Sequence, residues 1–257
     1  MIKLLVVDSN TREVNAEFRR HFGRAVGEDY AAVIERLDAN VSVDIVRPYD
    51  GDAVPALAPF AGMVFTGSGV DWNVDDARAR VLHQAMEAGF HQGLSVFGSC
   101  NGMQLAAVVL GGACEASPNG REYGIARDLQ LTPEGANHPM MANRHSGFSA
   151  LCVHRDEVTR LPVGAVLLAS NAHSAVQAFS YSVSDTQFWG TQYHPEFAPG
   201  PLSDYLVSRQ RMPRDAAADL TAAETSAVAA SRLGLTSQAL SFEQRTLEIR
   251  NWLRQLS

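Results

Sequence analysis

Apolar residues in this chain fall into two rhythms. Ile2–Val7 is a short unbroken run closed by Asp8-Ser9-Asn10, the pattern of a strand buried on both faces. A helical region is expected from there to about Leu37. Val41–Val46 alternates and reads as a strand ended by Pro48, and a proline-rich loop to Pro59 leads to a strand over Gly62–Phe65. Residues 75–89 have helical spacing through Ala77, Val81, Leu82, Ala85 and Met86, with Asp75 and Asp76 placed to cap the first turn. Residues 94–97 form another buried run, and 101–110 an apolar helix stopped by Gly111-Gly112. Strands alternating with helices predict an α/β fold: a mainly parallel central sheet flanked by helices, with ligands beyond the carboxyl ends of the strands.

From about residue 120 to 185 the rhythm changes. Short runs at 125–131, 151–153, 165–169 and 176–181 predict several strands and hairpins. After Pro199-Gly200-Pro201 it changes again. Pro213 opens an Ala-rich stretch, Thr221 with Glu224 and Ser241 with Gln244 read as two capping boxes, and Gly234 as a helix stop. Ile249, Trp252, Leu253 and Leu256 form an apolar stripe at helical spacing. The expected division is a catalytic domain over 1–205 and a helical C-terminal extension over 206–257 packed on it.

The chemistry centres on Gly98-Ser99-Cys100-Asn101-Gly102-Met103-Gln104. A cysteine with glycine two residues to either side, at a strand-to-helix junction, reads as a nucleophile elbow. A Cβ at either glycine would clash in so tight a turn, and the following helix N-terminus favours the thiolate. A second segment, Thr191-Gln192-Tyr193-His194-Pro195-Glu196-Phe197, follows the strand-like Phe188-Trp189-Gly190. There His194 can act as base to Cys100 and Glu196 can orient the imidazole.

These segments resemble the class I (triad) glutamine amidotransferases, and most of all the glutaminase domain of GMP synthase and its stand-alone relatives, including the γ-glutamylanilide hydrolases of aniline degradation. The pair G-x-C-x-G-x-Q and H-P-E carries the resemblance. Val64-Phe65-Thr66-Gly67-Ser68-Gly69 sits where the family has its oxyanion-loop strand, and Val153-His154-Arg155-Asp156-Glu157-Val158 resembles its S-H-x-D-x-V segment. The resemblance covers roughly residues 1–200. It implies a flavodoxin-like core and an oxyanion hole from main-chain N–H groups at Asn101 and the Gly67-Ser68 turn. It also implies substrate contacts at Gln104, Val153 and His154. Ser68 stands where the family has a second glycine, and Val153 where it has serine, so only main-chain contacts carry over at 153. The implied reaction is hydrolysis of a γ-glutamyl amide through a thioester. The alternative is a glutaminase subunit that delivers ammonia to a separate synthetase. Family domains end soon after H-P-E, so the tail is a departure. Trp252 and its neighbours are expected to dock on the chain's own core, the alternatives being a subunit interface, as in a homodimer, or a cover over the site.

Composition narrows the picture further. With 257 residues, 46% of them hydrophobic, and net charge −7, the chain is a globular acidic protein whose only lysine is Lys3. No basic run favours nucleic acid or an anionic membrane as partner. The opening segment reads as a strand, not a signal peptide, so a cytoplasmic location is expected. Cys114 and Cys152 read as packing residues. No histidine has metal-ligand spacing and no phosphate-loop motif is present, so neither a metal nor a cofactor is expected.

Overall fold

A computed structural model of the chain describes residues 1–256. The strands are β1 (Ile2–Val7), β2 (Val41–Val46), β3 (Gly62–Phe65), β4 (Ser95–Ser99), β5 (Ala113–Ala116), β6 (Glu122–Leu131), β7 (Phe148–His154), β8 (Asp156–Arg160), β9 (Ala165–Ser170), β10 (Ala178–Val183) and β11 (Thr186–Thr191). The helices before the site's second segment are α1 (Arg12–Phe22), α2 (Val26–Leu37), α3 (Arg80–His91), α4 (Asn101–Val109) and α5 (Pro133–Asn137). Those after it are α6 (Pro199–Ser208), α7 (Arg214–Ala222), α8 (Ala227–Arg232), α9 (Phe242–Arg245) and α10 (Leu247–Gln255).

The described residues form a nine-stranded sheet in the order β2-β1-β3-β4-β11-β10-β9-β6-β7, with β5 and β8 paired apart from it. The half from β2 to β11 is parallel. The remainder, from β11 to β7, is antiparallel. The parallel strands are covered on both faces, which is why their sequences are continuous apolar runs: Leu4, Leu5, Val6 and Val7 are all fully buried. One face packs Leu5, Val7, Met63 and Phe65 against α3 and α4 residues such as Met86 and Met103. The other packs Leu4, Val6, Val64 and Phe97 against Tyr30 and Ile34 of α2 and Ile249, Trp252 and Leu253 of α10.

The C-terminal helix is therefore part of the second face. Trp252 is fully buried, lies 5.8 Å from the Phe97 ring and donates its indole N–H to Ser95 Oγ at 2.9 Å. A Cβ on Gly62 would sit 2.9 Å from the Trp252 ring, so this strand position has to be glycine for α10 to lie so close. The boundary expected at 205/206 falls inside α6.

Three local expectations are corrected. The first helical region is two helices: Gly23, at φ 75°, ends α1, and the Glu28 carboxylate accepts from Ala25 N–H at 2.9 Å before α2. Asp76, not Asp75, caps the turn that leads into α3, accepting from Arg78 N–H. Thr221 is no cap. The helix starts at Pro213, so Thr221 falls in its last turn and bonds Ser203 Oγ at 2.6 Å, while Ser226 caps α8. Ser241 does cap α9, accepting from Gln244 N–H.

Candidate active site

Cys100 sits between β4 and α4 at φ 50° and ψ −105°, a conformation that non-glycine residues adopt only where the surroundings enforce it. Its own N–H is tied to the carbonyl of Thr191 at the end of β11, at 2.7 Å. The flanking glycines are required by crowding. A Cβ on Gly98 would meet the Gly102 carbonyl carbon at 2.6 Å, and one on Gly102 would meet the Phe65 carbonyl oxygen at 2.3 Å. The bare backbone lets α4 begin directly over the ends of β3 and β4. The thiol thus stands at a nine-residue helix's N-terminus, beyond the carboxyl ends of the parallel strands. Cys100 Sγ lies 3.7 Å from the carbonyl oxygen of Val153.

The second segment leaves β11 and turns over the same point. His194 donates its main-chain N–H to Leu151 at 2.8 Å, and its Nδ1 lies 2.7 Å from Glu196 Oε1. One face of the imidazole stacks on Phe197, with centroids 3.9 Å apart and planes within 2°. Its Cε1 edge meets Gly67, where a Cβ would come within 2.5 Å of that carbon. Burial alone would lower the imidazole's pKa. The Glu196 carboxylate and the neighbouring Cys100 thiol outweigh it and push it up to about 10.

This shift has a pH consequence. The folded state holds a proton on His194 that the unfolded chain, near the ordinary histidine value, releases first. Its contribution to stability is complete below about pH 6.5 and is lost as pH rises towards 10. Asp29, raised to about 6 by burial and the Glu196 charge, is mostly ionised by pH 7 and adds little above it. Urea midpoints are expected to fall from pH 7 to pH 9.5 in the native chain, and to fall less in His194→Gln.

Gly67 and Ser68 follow β3. The Gly67 carbonyl accepts from Asn10 Nδ2 at 3.0 Å and from Thr66 Oγ1 at 2.9 Å, and Asn10 Oδ1 accepts from Gly69 N–H at 2.8 Å. The Ser68 hydroxyl donates to the Ser9 carbonyl. These bonds face the loop's N–H groups elsewhere: among the described residues, those of Gly67 and Ser68 meet no protein acceptor. The Asn101 N–H is one of the unpaired donors of the first turn of α4.

The remaining expected contacts line the same cavity of 410 Å³, together with Cys100, His194, Gly67, Ser68 and Asn101. Gln104 donates from Nε2 to the Asp156 carbonyl at 2.7 Å and to Gln192 Oε1 at 3.2 Å, which ties α4 to β8 and to the His194 segment. His154 has both ring nitrogens engaged, Nε2 with Glu122 at 2.8 Å and Nδ1 with the Asp156 carbonyl at 3.2 Å. Its side chain braces β6, and main-chain atoms are what it can offer a ligand.

Three features were not visible in the sequence. Asn101 Oδ1 is buried beside the cavity without a protein donor. Val14, Phe18 and Phe22 of α1 line the cavity wall. Tyr193, next to His194, donates to Glu248 Oε1 of α10 at 2.8 Å, and the same carboxylate takes two bonds from Arg144 at 2.7 and 2.9 Å. Arg144 and Glu248 are both buried, so removing one strands the other's charge. Glu248→Ala is expected to destabilise the fold by about 3–5 kcal/mol, read as a lowered urea midpoint. The double variant Arg144→Met/Glu248→Leu should recover most of that loss.

The chain belongs to the class I glutamine amidotransferases, whose family model, "Glutamine amidotransferase class-I", matches residues 33–212. Membership places it among enzymes that hydrolyse a linear carboxamide. A γ-glutamyl-L-1-hydroxyisopropylamide hydrolase from a Pseudomonas species is 32% identical, over 99% of this chain and 93% of that protein. The GMP synthase of Thermomicrobium roseum is also 32% identical, over 80% of this chain, but the match spans only 37% of the synthase. Among solved structures, a glutamine amidotransferase from Thermotoga maritima superposes with a TM-score of 0.67 at 16% identity, over 99% of this chain and 97% of that one. One from Methylobacillus flagellatus gives 0.63 at 17% identity, over 100% and 96%. The two structures share the fold.

Proposed function

We propose that the protein hydrolyses a γ-glutamyl amide by itself, through a γ-glutamyl thioester on Cys100, releasing glutamate and an amine. The observation that carries this reading is the pairing of the strained Cys100, at the α4 N-terminus, with the buried His194–Glu196 couple beside one cavity. The match to a γ-glutamyl-L-1-hydroxyisopropylamide hydrolase also runs through the C-terminal tail, whereas the synthase match covers a smaller share of the chain.

In this reading Cys100 Sγ attacks the δ-carbon of the γ-glutamyl group. The carbonyl π electrons move to oxygen, which the N–H groups of Asn101 and the Gly67-Ser68 turn hold. His194, kept protonated by Glu196, gives its proton to the nitrogen as the C–N bond breaks. Water then loses a proton to His194 and attacks the thioester, and Cys100 leaves as thiolate. Gln104 and the main chain at Val153 and His154 position the glutamyl part. The chain through α6 forms the catalytic unit, and the helices after it a buttress that reaches the His194 segment through Glu248.

The test is glutamate release by the purified chain from L-glutamine and from γ-glutamyl alkyl and aryl amides. Faster turnover of a conjugate than of glutamine supports a stand-alone hydrolase. Turnover of none, recovered only when a synthetase is added, favours the ammonia-delivering subunit.

A further inference from the structure

We infer that Asn10 is a positioning residue for the reaction: its buried carboxamide, locked in one orientation by Asp8, holds the Gly67-Ser68-Gly69 loop with its N–H groups open to the oxyanion. This rests on the hydrolase reading and extends it to a residue outside the triad and the oxyanion donors. The need for a clamp comes from the loop's own sequence. Gly67 has to be glycine because of His194 Cε1, and Gly69 because a Cβ there would meet Val14 Cγ1 at 2.9 Å. Two glycines around Ser68 leave the backbone free to turn a peptide over, since neither carries a Cβ that would forbid it. A turned peptide would aim a carbonyl oxygen where the oxyanion forms, and the site would repel the charge it has to stabilise.

Asn10 removes that freedom with both ends of its amide. Nδ2 donates to the Gly67 carbonyl at 3.0 Å, and Oδ1 accepts from Gly69 N–H at 2.8 Å. The peptide bonds here are trans, so a Gly67 carbonyl turned towards Asn10 turns the Ser68 N–H of the same peptide away from it. The Thr66 hydroxyl donates to the same carbonyl at 2.9 Å and adds a second tie. The amide itself is fixed from behind, where β1 ends. Its Nδ2 also donates to Asp8 Oδ1 at 2.9 Å, while Asp8 Oδ2 accepts from Asn15 Nδ2 at 2.9 Å and from Gly27 N–H at 3.1 Å. Reversing the amide would set Oδ1 against the Asp8 carboxylate and the Gly67 carbonyl, and Nδ2 against the Gly69 N–H. Asp8 and Asn10 are both fully buried, so each of these mismatches would carry the cost of a buried polar group without a partner.

The experiment measures kcat and KM of the full-length protein and of Asn10→Ala on the γ-glutamyl amide that the native chain turns over fastest. Alongside, peptide mass spectrometry follows the rate at which iodoacetamide alkylates Cys100. In the variant kcat is expected to fall by about 10²-fold or more, the effect of losing one oxyanion donor, with KM little changed because the interaction is made in the transition state. Alkylation builds no oxyanion and should keep its rate. Thr66→Val, which removes the second tie on the Gly67 carbonyl, should lower kcat by less than Asn10→Ala, and Thr66→Ser, which keeps the hydroxyl, should restore most of it. This pair carries the test if Asn10→Ala does not fold. The inference is overturned if a folded Asn10→Ala or Thr66→Val keeps its kcat, if KM rises as steeply as kcat falls, or if alkylation slows by the same factor as turnover. A native chain that releases glutamate from no γ-glutamyl amide would instead reject the hydrolase reading beneath it.

Discussion

Cys100→Ala is expected to abolish glutamate release, a loss of about 10⁴-fold or more, while leaving the protein folded. The loss is large because no other group at the site can form the acyl intermediate. His194 without the thiol can only activate water, and the oxyanion donors alone support little turnover. The fold should survive because the truncation removes one sulfur that contacts the Val153 carbonyl at 3.7 Å. The main-chain bond from residue 100 to Thr191 does not depend on the side chain. Thermal unfolding and near-UV spectra of the variant check the second half of the expectation. Retained hydrolysis in a folded variant would remove Cys100 from the mechanism.

Glu196→Gln is expected to slow turnover by up to about 10⁴-fold without reducing it to background. The carboxylate does two things for His194. It accepts from Nδ1 at 2.7 Å, which leaves Nε2 for the reacting groups, and its charge opposes the burial that would otherwise strip the imidazole of its proton. An amide nitrogen at the same place offers a donor where an acceptor is needed and favours the wrong tautomer. With the charge gone, burial dominates and the imidazole titrates lower. The pH profile of kcat/KM should therefore move to lower pH in the variant. An unchanged rate and an unchanged profile would mean that Glu196 has no hold on His194.

The sequence spoke most clearly where the backbone leaves the fewest choices. The parallel strands β1, β3 and β4 announce themselves as apolar runs because both of their faces are covered. Gly98 and Gly102 are legible because Gly102 and Phe65, respectively, stand where a Cβ would be. By contrast β5 and β8, with the sequences ACEA and DEVTR, carry charges and pair only with each other, so no apolar pattern marks them. The break between α1 and α2 was hidden because helical spacing continues on both sides of Gly23. Thr221-x-x-Glu224 matched a cap by spacing alone, yet the helix it was to start had already begun at Pro213.

In the site, the residues of the two motifs come together around one cavity, as their place after β4 and β11 requires. The partners that hold them do not show in any local pattern. Tyr193 meets Glu248 across 55 positions of sequence, and Glu248 meets Arg144 across 104. The aromatic face of α1 reads as an ordinary core stripe until the fold turns it towards Phe197. Such pairings depend on which elements the tertiary structure sets side by side, and a single sequence carries no signal for them.

The most direct measurement is covalent. Incubation with a diazoketone analogue of glutamine, followed by peptide mass spectrometry, should find one equivalent of label on Cys100, in step with loss of turnover and slowed by γ-glutamyl amide. Cys114 and Cys152 should be spared. Both are buried, and burial holds each thiol well above the usual range. Label on either of those cysteines, or inactivation with Cys100 unmodified, would contradict the account.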